Sequence, residues 1–286
     1  MSGDRIANAI GDGLWAMTQS GLDSLAIEAE RRLLLSAEEL AELNAARFQP
    51  IRRGKVAVLP LSGPMIHKGG VLASLFGTTH DGFGTAFDAL MDDSGIGAVV
   101  FDVDSPGGTV AGTPELAARI RSRRGEKPII AVSNSLMASA AFWVGSAADT
   151  GVAAPSADVG SVGVLAVHND FSGFNERIGV KPTIIKSAPF KAEGNPEEPL
   201  GDDALAFFQS RVDEMHGAFV RDLAIQRGTT ENRVNKDFGQ GRVMSAKQAV
   251  ENGLADRVAT LDQVISELTS RPKRPVRAMA GRFAMN

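Results

Sequence analysis

Two strand-turn-helix units follow one another between Ala98 and Ala147, and this succession constrains the fold more than any other feature of the chain. Ala98-Val99-Val100-Phe101-Asp102-Val103 is a β-branched, apolar run that enters the turn Ser105-Pro106-Gly107-Gly108, and a helix is predicted from about Thr113 to Arg123. The second unit repeats the order: strand Pro128–Val132, polar turn Ser133-Asn134-Ser135, helix from about Leu136 to Ala147. Buried strands alternating with helices imply parallel strands joined by right-handed crossovers.

The flanks extend this α/β reading. Residues 22 to 48 place apolar side chains at helical spacing, and Ser36-Ala37-Glu38-Glu39 has the form of a capping box, so a second helix is expected to begin at Ser36. Val56–Leu61 is a strand, Gly82-Phe83-Gly84 punctuates a loop, and residues 85 to 93 suit a helix. Further strands are expected near Gly151–Ala154, Val162–Val167 and Pro182–Ile185. Helices are expected over Asp202–Gln226, Glu231–Lys236, Ala246–Asn252 and Val258–Leu268. The expected organisation is a helical N-terminal arm over residues 1–50, a main domain over 51–270 and a basic, flexible tail over 271–286.

Composition narrows the chemistry. A net charge of −4 supplies no basic field for a phosphate backbone, so nucleic acid is not expected as a partner. Without cysteine there can be no thiol nucleophile, disulfide or thiolate metal site, and covalent catalysis must use oxygen or nitrogen. No cofactor and no metal are expected. Neither a long apolar run nor a basic, apolar leader is present, so a cytoplasmic protein without a membrane anchor is expected.

Three segments could together transfer an acyl group, which needs a nucleophile, a base, and fixed donors where the carbonyl oxygen becomes negative. Gly107 and Gly108 lack Cβ atoms, so backbone N–H groups there can approach a substrate, and they lie just ahead of a helix. Ser139 stands 31 residues after Gly108 and 52 before Lys191, among Ala138, Ala140 and Ala141, and is expected in the first turns of a helix. His67, His80, His168 and His216 are scattered, and no G-x-S-x-G elbow is present. A lysine base works only when neutral, so desolvation must bring such a group from about 10.4 toward about 7 to 8. Lys191 follows Ser187-Ala188-Pro189-Phe190, where an apolar surround is expected; Lys181 and Lys186 compete with it.

At these residues the chain resembles the signal peptide peptidase A (protease IV) family of serine peptidases, which use a Ser-Lys dyad. Asp104-Ser105-Pro106-Gly107-Gly108 is similar to the family's oxyanion turn and Met137-Ala138-Ser139 to its nucleophile segment. Gly160-Ser161-Val162-Gly163-Val164 is similar to its G-S-[IV]-G-V stretch, and Ser187–Lys191 to its lysine segment. The resemblance implies Ser139 as nucleophile, Lys191 as general base, Gly107 or Gly108 as oxyanion donor and Ser161 as the group orienting the lysine. It also implies a crotonase-like and Clp-protease-like stack of β-β-α units, usually assembled into homo-oligomeric rings.

The family's common Ser-Gly-Gly-Tyr is replaced here by Ser139-Ala140-Ala141-Phe142. With the arm that carries Leu14-Trp15-Ala16-Met17, the resemblance points to the phage and prophage branch. That branch implies a capsid assembly protease acting on scaffold, portal-region or capsid proteins in the host cytoplasm or prohead. The alternatives are a general cytoplasmic peptidase of the same family and a catalytically inactive ring component. A crotonase-like acyl-CoA enzyme would leave the Ser139 and Lys191 pairing without a role.

Overall fold

The computed structural model describes residues 13–32, 34–36, 38–40, 42, 49–67 and 78–270. The tail from Arg271 lies outside the described residues.

In chain order the elements are β1 (Trp15–Met17), α1 (Gln19–Arg32), β2 (Ile51–Arg53), β3 (Val56–Ser62), α2 (His80–Asp92), β4 (Ala98–Ser105) and β5 (Gly107–Thr109). They continue with α3 (Thr113–Ser122), β6 (Ile129–Ala138), α4 (Ala140–Gly145), β7 (Thr150–Ala153), β8 (Asp158–Gly160), α5 (Ser172–Arg177) and α6 (Asp202–Arg227). Last come α7 (Glu231–Asp237), β9 (Val243–Ser245), α8 (Ala246–Asn252), β10 (Arg257–Val258) and α9 (Leu261–Ser270). The main sheet has the order β10-β7-β6-β4-β3-β2, with β8 also on β6 and β9 on β8. The pairs β3–β4, β4–β6, β6–β7, β6–β8 and β7–β10 are parallel, as the strand-turn-helix succession predicts.

The central strands are buried on both faces because helices cover both. Side chains alternate: Val99, Phe101 and Val103 of β4 enter the main core with Phe83, Phe87, Leu116 and Phe142, while Ala98 and Val100 face a second cluster closed by Val264 of α9. Phe101 meets Phe83 and Phe87 edge-on, with centroids 5.1 and 5.6 Å apart.

Several expected boundaries shift, each for a physical reason. Gly82-Phe83-Gly84 lies inside α2, which begins at His80 because the Thr79 hydroxyl accepts the Gly82 N–H at 3.0 Å. Gly84 serves close packing rather than a turn, since a Cβ there would sit 3.3 Å from Leu116 of α3. Ser133-Asn134-Ser135 is not a chain reversal. Strand β6 runs on through it, exchanging its partner β7 (up to Ser133) for β8 (from Leu136), and the register with β4 shifts across the same stretch. The following helix is therefore only Ala140–Gly145.

Val162–Val167 forms no strand beyond the single bridge of Leu165 to Trp15, and Pro182–Ile185 is exposed chain in a stretch, 178–201, without helix or strand. The arm contains a strand, β1, as well as helix. The capping box at Ser36 is formed, with Glu39 N–H donating to Ser36 Oγ at 3.2 Å and Ser36 N–H to the Glu39 carboxylate at 2.8 Å.

His80 is buried, its Nε2 2.9 Å from Thr113 Oγ1. Desolvation, then the neighbouring His67, holds its pKa down at about 4 against an ordinary 6.5. Between these values the unfolded chain takes up a proton that the folded chain refuses. The stability from a neutral His80 is thus complete above about pH 6.5 and falls as the pH drops toward 4. Denaturant melts at pH 7 and pH 5 should show this loss, up to about 3 kcal/mol by pH 4, and His80→Asn should flatten it.

Candidate active site

Strands β4 and β6 run parallel and end together, Ser105 beside Met137. The Pro106-Gly107-Gly108 turn and Ser139 therefore emerge at the same edge of the sheet. Strand β8 pairs with the end of β6, Ala138 opposite Gly160, which brings Ser161 to the same place. Three parallel strand ends thus assemble residues far apart in the chain.

Ser139 is the joint between β6 and α4 and is fully buried. Its backbone, φ 53° and ψ −117°, lies in a region that suits glycine and costs a residue with a Cβ about 1–3 kcal/mol. The surroundings hold it there: its N–H donates to Gly160 O at 2.7 Å and its carbonyl accepts from Trp143 N–H at 2.8 Å. Trp143 is fixed in turn by stacking on Phe219 at 4.2 Å and by donating to Asp222 Oδ2 at 2.8 Å. Beyond α4, the Arg124 guanidinium donates to the carbonyls of Ser146, Ala147 and Ala148. The Ser139 hydroxyl donates to Gly163 O at 3.3 Å. Ser161, also buried, has φ 54°, and its N–H donates to Arg242 O at 2.8 Å. Two of the three described non-glycine residues with positive φ are thus the two serines of this edge.

Gly107 has φ 105°, and its N–H donates to Ser105 Oγ at 3.2 Å. A Cβ on Gly107 would stand 2.2 Å from Ala16 O and 3.1 Å from Ala138 O, and one on Gly108 only 1.9 Å from Met65 O. Glycine is required at both positions by close backbone approach. Strand β1 pairs antiparallel with β5, Ala16 opposite Gly108. The bonds Thr18 N–H to Pro106 O and Val110 N–H to Leu14 O bracket this pair two residues out on either side, so Gly108 N–H faces Ala16 O in the ladder.

Lys191 is placed differently. It is exposed, in a turn where its N–H donates to Ala188 O at 3.2 Å. Its neighbours Phe190 and Ile185 are 68% and 95% exposed, so the apolar surround expected for the amine is not supplied within one chain. The structure brings Ser139, Gly107, Gly108 and Ser161 together and leaves Lys191 on an outer segment. Sequence reading placed Ser139 within a helix and missed its strained joint. The one local signal was the polar stretch Ser133–Ser135 before Leu136, where β6 changes partners. Among the described residues, no group of three or more His, Asp or Glu could hold a metal, and no helix is long and apolar enough to cross a membrane.

Residues 121–273 match peptidase family S49. The chain is 31% identical over 248 residues to capsid assembly protease C of Escherichia phage lambda, covering 86% of this chain and 56% of that protein. It is 30% identical over 223 residues to head-tail preconnector protein GP5 of Enterobacteria phage P21, covering 78% and 44%. A putative signal peptide peptidase SppA of Enterococcus faecium is 27% identical over 195 residues, covering 68% and 56%. The chain thus spans about half the length of these curated relatives.

Backbone strain at Ser139 is directly measurable. Ser139→Gly should be more stable than Ser139→Ala by about 1 kcal/mol or more in denaturant titrations, because only glycine relaxes at this φ and ψ. Gly108→Ala should lose about 3 kcal/mol, because its methyl group meets backbone that cannot move aside.

Proposed function

Because the chain belongs to peptidase family S49, we propose that it is a serine-type endopeptidase working with a Ser-Lys dyad, and that it takes part in phage capsid maturation. The observation that carries this reading is Ser139: a buried hydroxyl on a strained strand-to-helix joint, beside a glycine turn built for close backbone approach. In this mechanism Ser139 Oγ attacks the peptide carbonyl, and the Lys191 amine takes its proton and returns it to the leaving amine. A backbone N–H at Gly107 or Gly108 receives the developing oxyanion, and Ser161 orients the lysine. Likeness to a capsid assembly protease and a head-tail preconnector favours scaffold, portal-region or capsid proteins as substrates. The domain limits follow the same reading: peptidase domain 51–270, preceded by an arm and followed by a tail.

The exposed position of Lys191 fits a site completed by a second copy. Phe174, Ile178, Ile184, Ile185, Phe190 and Phe207 expose apolar surface along the segment that carries it. Packing of that segment against a neighbour in a homo-oligomeric ring would bury these side chains and desolvate the amine. The same exposure favours a second reading, an inactive ring component, which makes no covalent use of Ser139.

A fluorophosphonate probe followed by peptide mapping should modify Ser139, and Ser139→Ala should abolish cleavage of an unfolded protein. Labelling elsewhere, or undiminished cleavage, refutes the nucleophile; absence of both in wild type favours the inactive component. Lys191→Arg should also be inactive, because guanidinium stays protonated near neutral pH. Mixing Ser139→Ala with Lys191→Arg chains should restore part of the activity if the amine comes from a neighbour, and none if each chain is self-sufficient.

A further inference from the structure

A short strand of the chain itself lies against the candidate active site. Strand β1 lies between two backbone edges: β5 on one side, in antiparallel register from Trp15 opposite Thr109 to Met17 opposite Gly107, and Leu165 on the other. Trp15 exchanges both main-chain bonds with Leu165, N–H to O at 2.9 Å and O from N–H at 2.8 Å. Both edges belong to the site. One carries the glycine turn, and the other follows Gly163, whose carbonyl accepts the Ser139 hydroxyl.

Within this ladder the Ala16 carbonyl meets the Gly108 N–H, and it lies so close that a Cβ on Gly107 would fall 2.2 Å from it and 3.1 Å from the carbonyl preceding Ser139. Side chains alternate as in any strand. Trp15 and Met17 enter a small cluster with Leu22, Leu25 and Ile66, while Ala16, wholly buried, enters the main core that holds Ala140 and Ala141.

We infer that Leu14–Thr18 is an internal occupant of the peptide groove, seated as an extended substrate would be, and that polypeptides reach Ser139 only when this strand leaves. The inference rests on the peptidase reading for what happens after binding, but not for binding itself. A donor that must receive a substrate carbonyl cannot do so while bonded to Ala16, and two main-chain edges 4.7–4.9 Å on either side of one strand leave no lane for another. The occupant also describes its competitor: an extended polypeptide with a small residue at the place of Ala16, which is wholly buried in the main core, flanked by large apolar residues. Such β-strand addition draws affinity from main-chain bonds and specificity from alternate side chains.

The test uses the full chain and a fluorescein-labelled peptide with the sequence of residues 13–19, Gly-Leu-Trp-Ala-Met-Thr-Gln. The double variant Leu14→Cys with Val110→Cys places a disulfide across a bonded pair of the ladder in a protein that has no cysteine of its own. Oxidised, it should neither bind the peptide in fluorescence anisotropy nor cut it; reduced, it should do both, and the change should reverse with reductant. Separately, Ala16→Arg should expel the strand and tighten peptide binding by about tenfold or more over wild type, since a rarely open groove weakens apparent affinity by its open fraction.

Equal hydrolysis in the oxidised and reduced forms overturns the occupant and leaves the peptidase reading standing. Binding that requires reduction or Ala16→Arg, with no hydrolysis, supports the occupant and refutes the peptidase. Absence of binding in both the reduced pair and Ala16→Arg overturns the inference.

Discussion

Everything at the candidate site depends on the parallel pairing of β4 with β6. The two strands are buried on both faces, so neither can slide by one residue without turning Val99, Phe101 and Val103 out of the main core and into the layer under α9. That register sets Ser105 beside Met137. Two residues beyond Ser105 stands Gly107, and two beyond Met137 stands Ser139, so the glycine turn and the serine meet because hydrophobic burial has already fixed the strands. Strand β8 adds Ser161 by pairing with the last residues of β6.

The same arrangement concentrates strain where chemistry is proposed. Ser139 and Ser161 both hold a backbone that glycine would adopt more cheaply, and both are pinned by main-chain bonds of 2.7 and 2.8 Å to Gly160 and Arg242. The α4 side supports the joint through Trp143, which is stacked on Phe219 and bonded to Asp222 of the long helix α6. Only glycine would relieve the strain at these positions, and the chain carries serine at both.

Much of this was legible locally. The apolar run Ala98–Val103, the turn Pro106-Gly107-Gly108 and the capping box at Ser36 each announce an element through a few adjacent residues. The resemblance carried by Met137–Ser139 and Gly160–Val164 names the family to which the chain belongs. The misreadings have a shared cause. Ser133–Ser135 carries turn residues but continues as strand because β8 takes over where β7 ends, and Gly84 looks like loop punctuation but admits the close packing of α3 on α2. In each case a partner distant in sequence overrides the local preference.

Local pattern alone determined most of the helices, the central strands and the parallel character of the sheet, because periodicity and turn chemistry act over a few neighbouring residues, and the family resemblance singled out Ser139 and the glycine turn. Only the tertiary structure decided three things. It set Ser139 at φ 53°, placed Lys191 on an exposed segment, and laid Trp15–Met17 against Gly107–Thr109. They depend on contacts between distant segments, as in the pairing of Ala16 with Gly108, 92 residues apart, and the bond from Ser139 N–H to Gly160 O, 21 residues apart. A strand of three residues has too few positions to show a period, and its place is chosen by whichever unpaired edge of main chain its folded surroundings leave open.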